Sequence, residues 1–380
     1  MIEFTLTEEQ LALQRMAREF ADSEMKPYAQ ELDHRQDLRF DWKIVERFAK
    51  AGITAMLVPQ EYGGRGGEKL TMAVVMEELA AACAGMTIVL GGTQAAACCL
   101  KSGGTEEQKK KYLPILADPK GKLGCMAVTE VGAGSDMASI STIARQDADG
   151  YVLSGTKSYI TNAGLAAFYI IVATTDPAKK LAGIECFIVP ADTRGLSFGK
   201  VVDTMGLRAS RIGEVILDDV KIPKDNLVGC PGAGFLIAVQ TFDTTRACVS
   251  TVAVGIARAA YETALYYTKQ RVQFGRPVFK NQAVSFALAD MATAIDASRL
   301  LTWRACSLID SGGEFNKEVS MAKLFASETA ELVCSRAVSF LGAYGYSRDA
   351  MVEKYLRDAK ALTIIEGTSE IQRHTIAAEL

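Results

Sequence analysis

Histidine is scarce in this chain. Only His34 and His374 occur among 380 residues, and neither stands at a metal-ligand spacing from a cysteine or a glutamate. This argues against a zinc site and against a histidine-based catalytic triad. If the protein is an enzyme, its demanding chemistry should belong to an organic cofactor.

The nine cysteines show no C-x-x-C spacing, and their odd number argues against a full disulfide framework. This pattern predicts a reducing, cytoplasmic location. The first ten residues, MIEFTLTEEQ, are acidic and lack a basic region followed by an apolar run. They therefore predict no secretory signal.

Neither charge sign dominates the sequence. There are 42 basic and 45 acidic residues, so the chain lacks the positive excess typical of nucleic-acid binding. Its apolar runs look too short or too interrupted for a membrane span, and we expect none. The length of 380 residues predicts two or three cooperating units around a substantial core.

Three regions differ in the period of their apolar residues. Residues 1–122 predict helices, with capping boxes at Thr7 and Thr105. Residues 123–230 contain short runs rich in β-branched residues, with a hairpin turn at Asp149-Gly150. Helical spacing returns in residues 231–380, where one helix should run from about residue 234 to Gln270. The prediction is a mainly α fold with an N-terminal helical domain, a middle antiparallel β-barrel and a C-terminal four-helix bundle.

One carboxylate stands out near the C-terminal end. Glu366 follows an apolar run and precedes Gly-Thr-Ser in the segment ALTIIEGTSEIQR, residues 361–373. Apolar surroundings raise the pKa of a carboxylate, and a raised pKa suits a general base that works near neutral pH. The alternative is a helix-end glutamate with a solvated carboxylate.

This segment resembles the C-terminal signature of the acyl-CoA dehydrogenase family, in which the glutamate before Gly-Thr is the base. The resemblance extends over essentially the whole chain. It is carried by AVTEVGAGSD within residues 125–139, KSYITNA (157–163), FDTTRACVS (242–250), RVQFGRPVFKNQAV (271–284) and, more weakly, SFLGAYGYS (339–347).

The resemblance implies a role for each matching position. Glu366 would be the catalytic base. FAD contacts would come from Met126, Val128, Thr129, Tyr159, Thr161, Arg271, Phe274, Gln282, Ser339, Thr368 and Glu370. Substrate contacts would come from Ser135, Asp243, Arg246, Ile365 and Gly367. In this family the residue at Arg271 reaches the cofactor of a neighbouring subunit, which implies a homotetramer.

The residues alone leave simpler interpretations open. The glycine-rich turn at Gly132, Gly134 and Ser135 could bind an anion or be a plain loop. Tyr159 and Thr161 could be half-buried strand residues. Asp243 and Arg246 are three positions apart and could form a helical ion pair.

The implied reaction is FAD-dependent α,β-dehydrogenation of an acyl-CoA thioester. Glu366 would remove the α-proton, flavin N5 would accept the β-hydride, and an electron-transfer flavoprotein would take the electrons. Some relatives carry the base at the position of Thr245, which leaves Glu366 as the base here. The alternatives are an acyl-CoA oxidase or monooxygenase of the same fold, or a non-catalytic CoA-binding relative.

The acyl group is less defined by the sequence. In this family residues 85–100 would flank the acyl chain, and Ile365 stands where a larger residue is common. The segment contains many small residues: Gly91, Gly92, Ala95, Ala96, Ala97, Cys98 and Cys99. This indicates either simple helix packing or a pocket for a short, branched or cyclic acyl group, such as a cyclohexanecarboxyl or cyclohexenecarboxyl group.

Overall fold

A computed structural model describes residues 5–380 of the chain. Five helices precede the sheet: α1 (Glu8–Phe20), α2 (Lys26–His34), α3 (Trp42–Lys50), α4 (Lys69–Gly103) and α5 (Glu106–Leu116). Both predicted capping boxes are confirmed. The side chains of Thr7 and Thr105 each accept the backbone N–H three residues on, and Gln10 and Gln108 return the contact.

Helix α4 folds back on itself. Cys83 interrupts it with non-helical angles, φ −161° and ψ 105°. The Lys69 ammonium lies 3.3 Å from the Cys98 sulfur, whereas a straight helix would hold these residues about 44 Å apart. The two arms of α4 therefore lie side by side.

Helix α4 also corrects one sequence argument. Within residues 5–380 it is the one helix long and apolar enough to cross a membrane, with an 18-residue window of mean hydropathy 1.8. By length this helix exceeds what was expected of the apolar runs, although Cys83 interrupts it. However, 94% of that window is buried inside the folded chain, as in the core helix of a globular protein.

The middle region forms one eight-stranded sheet in the order β6-β7-β3-β2-β4-β5-β8, with β1 paired to β4. Its strands are β1 (Gly124–Ala127), β2 (Ile143–Gln146), β3 (Gly150–Thr161), β4 (Phe168–Thr174), β5 (Ile184–Pro190), β6 (Leu196–Val201), β7 (Ile212–Pro223) and β8 (Leu227–Val228). Most pairs are antiparallel as predicted, and the β2–β3 hairpin turns at Asp149-Gly150. Strands β1 and β2, however, pair with β4 in parallel. The sheet is therefore mixed. Among the described residues, β6 and β8 are its two edge strands.

The C-terminal helices are α6 (Gly234–Gln270), α7 (Gln282–Ser311), α8 (Asn316–Leu341), α9 (Met351–Leu362) and α10 (Ser369–Ala378). A short hairpin of β9 (Val272–Gln273) and β10 (Arg276–Pro277) joins α6 to α7. Helices α6 to α9 pack on one another as the expected bundle, and α10 packs on α8. Helix α6 also packs along α4, which joins the bundle to the N-terminal helices.

Candidate active site

Glu366 lies in the turn between α9 and α10. Its backbone is in the left-handed region, φ +55°, and Gly367 follows at φ +92°. A non-glycine residue in this region is strained, and such strain is found most often at functional sites. The turn ends at Thr368, whose hydroxyl caps α10 by accepting the Ile371 N–H at 3.3 Å.

Glu366 is half-buried as a residue, and its carboxylate has one hydrogen-bond donor. The hydroxyl of Thr245, on α6, lies 2.8 Å from Oε2. Burial raises the pKa of Glu366, while the Thr245 hydrogen bond and the charges of Arg246 and Lys323 oppose that rise. The sequence-based prediction of a carboxylate with a raised pKa therefore agrees with the surroundings of Glu366.

Three side chains donate hydrogen bonds to the backbone carbonyls of Glu366 and Gly367. Arg246 Nε donates to the Glu366 carbonyl at 3.1 Å, and Lys323 Nζ, from α8, donates to the Gly367 carbonyl at 2.7 Å. Gln372 Nε2 donates to both, at 3.2 and 3.0 Å. Donors from α6, α8 and α10 thus fix two successive peptide groups.

The amide N–H groups of Glu366 and Gly367 are left without acceptors. Within residues 5–380, neither N–H donates to a backbone or side-chain oxygen. The turn therefore presents a carboxylate and unused backbone donors together. This combination can remove a proton and hydrogen-bond an oxygen on which negative charge develops.

The predicted substrate residues divide into two places. Asp243 and Arg246 form a largely buried ion pair on α6, and Ile365 packs against the helical core. Thus the helical ion pair considered from the sequence is present, and Arg246 also contacts the Glu366 carbonyl. Ser135 is exposed in the loop after β1, where a Cβ on Gly132 or Gly134 would meet nothing within 4 Å. Their contacts with substrate remain predictions.

The first group of predicted FAD residues comes together where β1 meets β3. Met126 is on β1, and the Thr129 carbonyl accepts the Ser158 N–H at 2.8 Å. The Val128 carbonyl accepts a hydrogen bond from the buried ammonium of Lys157 at 2.9 Å. That ammonium also lies 2.7 Å from Glu130, whose carboxylate accepts four bonds from Ser141 and Thr142. Hydrogen bonding to these partners lowers the pKa of Glu130 to about 2 against the opposing effect of burial.

This part of the fold suits a flavin ring. Tyr159 is 62% exposed although it belongs to a strand, with φ +60°. The half-buried Thr161 follows, and a Cβ on Gly92 of α4 would lie 3.3 Å from its methyl group. The buried hydroxyl of Ser158 has no partner among the described residues. An exposed aromatic face, a nearby hydroxyl and open polar backbone are what a planar, hydrogen-bonding ring requires.

The remaining predicted FAD residues, apart from the half-buried Thr368, lie on the surface. Arg271, Phe274 and Gln282 are exposed around the β9–β10 hairpin, and Phe274 is 100% exposed. Ser339 is exposed near the end of α8, and Glu370 is exposed in the first turn of α10. The hairpin packs on α6, so Arg271 and Phe274 are not brought to the β1–β3 group within one chain.

Sequence reasoning missed four groups at this site: Thr245, Gln372, Lys323 and the Lys157–Glu130 pair. The Thr245 position was recognised only as the place of the base in relatives, which was a usable sign that it faces Glu366. Lys323 and the Lys157–Glu130 pair had no local signal, because each acts through a partner more than 25 positions away.

The family follows from comparison with known proteins. Sequence profiles match the acyl-CoA dehydrogenase N-terminal domain over residues 7–120, its middle domain over 125–220 and its C-terminal domain over 232–380. The site and the fold define an FAD-dependent oxidoreductase. The chain belongs to the acyl-CoA dehydrogenase family.

Its relatives include short-chain enzymes. The mitochondrial short-chain specific acyl-CoA dehydrogenase of Bos taurus is 42% identical, covering 99% of this chain and 90% of the relative. The short-chain specific enzyme of Clostridium acetobutylicum is 39% identical over 100% of both. The NADH-dependent acryloyl-CoA reductase of Anaerotignum propionicum is also 39% identical, covering 100% and 96%.

Solved structures show the same fold. Butyryl-CoA dehydrogenase from Megasphaera elsdenii has a TM-score of 0.96 and 39% identity, covering 100% of this chain and 99% of that one. A chain from the structure reported for the electron transferring flavoprotein of Acidaminococcus fermentans matches at 0.96 and 38%, with the same coverage. PigA, solved with FAD and proline, matches at 0.94 and 29%, covering 100% and 99%.

Proposed function

We propose that this protein oxidises short acyl-CoA thioesters to 2-enoyl-CoA, with Glu366 as the base. The observation that carries the proposal is the strained turn that joins a half-buried carboxylate to unused amide donors. The similarity to short-chain dehydrogenases supports the choice of substrate.

The chain's own groups account for proton removal. Glu366 takes the α-proton of the thioester onto its carboxylate, and its amide N–H hydrogen-bonds the thioester oxygen as enolate character develops. Thr245 holds the carboxylate through Oε2. FAD, when bound, supplies the acceptor for the hydride that leaves the β carbon. The groups that would hold its ring are Val128, Thr129, Tyr159 and Thr161.

We further propose that the pocket accepts a branched or cyclic acyl group. Helix packing accounts for the small residue at Gly92, because a Cβ there would lie 2.9 Å from the Asn162 side chain. A Cβ on Gly91 would contact only the Ile88 side chain, at 3.6 Å, so this position has room. Ile365→Tyr should cut activity on cyclohexanecarboxyl-CoA and spare butyryl-CoA. Equal loss on both substrates would favour simple packing.

An oxygen-free titration of the flavin tests the reaction class and the acyl group together. The purified protein would be mixed with butyryl-, isobutyryl- or cyclohexanecarboxyl-CoA while its visible spectrum is recorded. Bleaching of the flavin by one of them supports the reaction, and the order of the three reports on the pocket. A flavin that stays oxidised with all three contradicts the proposed substrates. A protein that cannot be loaded with FAD contradicts the enzyme itself.

The electron acceptor distinguishes the main alternatives. We propose an electron-transfer flavoprotein, in line with the matching chain from Acidaminococcus fermentans. The reduced protein should then reoxidise slowly in air and quickly with that partner. Fast reoxidation by air alone would indicate an oxidase or monooxygenase. The similarity to acryloyl-CoA reductase makes net reduction of an enoyl-CoA a second direction to assay.

Assembly and location remain proposals. We propose a homotetramer, supported by the exposed Phe274, Val272 and Phe286 around the β9–β10 hairpin. Sedimentation analysis that finds a monomer would contradict it. We propose a cytoplasmic location, supported by nine free thiols, of which only Cys230 is exposed. Recovery of the protein outside the cytoplasmic fraction of its cells would contradict that.

A further inference from the structure

Lys323 is buried without a direct carboxylate partner. The residue is 0% exposed on α8, and its ammonium donates to the Gly367 carbonyl at 2.7 Å. Among residues 5–380 it forms no salt bridge with any carboxylate. Burying an ammonium in this way costs free energy, so its place beside the base calls for a functional explanation.

The charged groups around Lys323 come from four elements. Glu366 faces it from the α9–α10 turn, Arg246 from α6, Glu328 from α8 itself and Glu370 from α10. Arg246 is already paired with Asp243, and Glu328 with Arg373 at 2.8 Å. The base is therefore the nearby anion that is itself desolvated and lacks a salt-bridge partner. Burial lowers the pKa of Lys323 to about 8.

We propose that Lys323 is a positioning residue for proton abstraction: it fixes the Glu366–Gly367 turn through the Gly367 carbonyl and stabilises the ionised base by its charge. This rests on the proposed function of Glu366. Lys323 keeps its proton during the reaction step. The α-proton passes from the substrate carbon to Glu366 alone.

The two parts of this role have different consequences. The hydrogen bond holds the left-handed backbone, which sets the direction of the Glu366 side chain and of its amide N–H. The charge favours the carboxylate form, so its loss raises the pKa of Glu366. Proton abstraction should therefore increase with pH as Glu366 ionises and decrease near pH 8 as Lys323 loses its proton.

Two substitutions test the role: Lys323→Gln, which is neutral, and Lys323→Arg, which keeps its charge to higher pH. Flavin reduction by butyryl-CoA would be followed by stopped flow across pH. The plot of rate against pH should have a rising limb, where Glu366 ionises, and a falling limb, where Lys323 loses its proton. Lys323→Gln should slow flavin reduction by about 10- to 100-fold, move the rising limb to higher pH and remove the falling limb. Lys323→Arg should recover part of the rate and move the falling limb to higher pH.

A second readout does not depend on turnover. Acetoacetyl-CoA has an acidic α-proton, but its β carbon is a carbonyl carbon with no hydride to give up. Its enolate can therefore form at the site without reducing the flavin. A long-wavelength absorbance of the enolate beside the bound flavin measures how much enolate forms. Lys323→Gln should weaken this absorbance at pH 7. Lys317→Gln is the matched control, because Lys317 lies on the same helix and makes no side-chain hydrogen bond or salt bridge among the described residues.

The outcomes separate this inference from the proposed function. If no acyl-CoA reduces the wild-type flavin, the proposed function fails. If the wild type is reduced and Lys323→Gln matches it in rate and in both limbs, only the role of Lys323 is overturned. Should Lys323→Gln lose FAD or fail to fold, Lys323→Arg decides: a falling limb that stays near pH 8 overturns the role.

Discussion

At the scale of single residues, Glu366 is held from two sides. Thr245 contacts its carboxylate, while Arg246 and Gln372 contact its carbonyl. Its position was predictable from the sequence because apolar residues precede it and a Gly-Thr-Ser break follows. Arg246 was expected at the site from the family resemblance, but its contact with the Glu366 carbonyl and that of Gln372 were not predicted, because both depend on how the helices pack.

Replacing the base should abolish most of the rate while the fold persists. We expect Glu366→Gln to retain FAD and bind acyl-CoA but to reduce flavin about 10²–10⁴-fold more slowly. Stopped-flow reduction by butyryl-CoA would measure this. Near-normal reduction would show that another group removes the proton.

Thr245→Val should alter the pH dependence of the same step. The Thr245 hydrogen bond favours the ionised carboxylate, so its loss raises the pKa of Glu366 and shifts the rising limb to higher pH. Thr245→Ser keeps a hydroxyl and is the matched control. An unchanged limb in the valine variant would mean that the hydroxyl does not influence the base.

At the scale of elements, long periodic helices were the easiest to predict. Helix α6 spans Gly234–Gln270 as expected, and the predicted apolar stripe that includes Val249, Val252 and Ile256 is buried. The parallel pairing of β1 with β4 was missed. Residues 124–127 carry no sign of their partner, which lies about 40 positions further along the chain and is selected by tertiary packing.

The folded-back helix α4 contains a second buried ammonium, that of Lys69, which is 5% exposed and has a thiol as its side-chain partner. A thiol compensates a buried charge poorly. Lys69→Met removes the cost of desolvating the ammonium and should therefore stabilise the protein, as measured by urea unfolding of the holoprotein. Lys101→Met, an exposed lysine of the same helix, should have little effect. A lower midpoint for Lys69→Met would mean that the ammonium contributes to stability.

At the scale of the whole molecule, the predicted FAD residues fall into two separated groups. Those at β1–β3 adjoin one another, whereas Arg271, Phe274 and Gln282 project from the opposite end of α6 into solvent. This separation is what the proposed sharing of a cofactor between subunits requires. The resemblance implied that Arg271 serves the cofactor of a neighbouring subunit, and the exposed hairpin is compatible with that prediction.

Two variants should separate cofactor loss from loss of assembly. Arg271→Ala should lose FAD and keep the oligomer, since it removes a charge and little apolar surface. Phe274→Asp should lose both FAD and the oligomer. Phe274 is fully exposed in the single chain, and an aspartate there would place a charge in the proposed subunit contact. Flavin content and sedimentation would be measured together. Full flavin in Arg271→Ala would argue against a shared site.

The left-handed backbone at Glu366 also affects how this protein could be engineered. A glutamate at φ +55° costs of order 1–3 kcal/mol, which glycine would avoid, and desolvation of its carboxylate adds to that cost. Glu366→Gly should therefore melt at a higher temperature than the wild type while being inactive. A laboratory selection for heat resistance alone would favour loss of the base, so any thermostability screen on this protein must retain a turnover step.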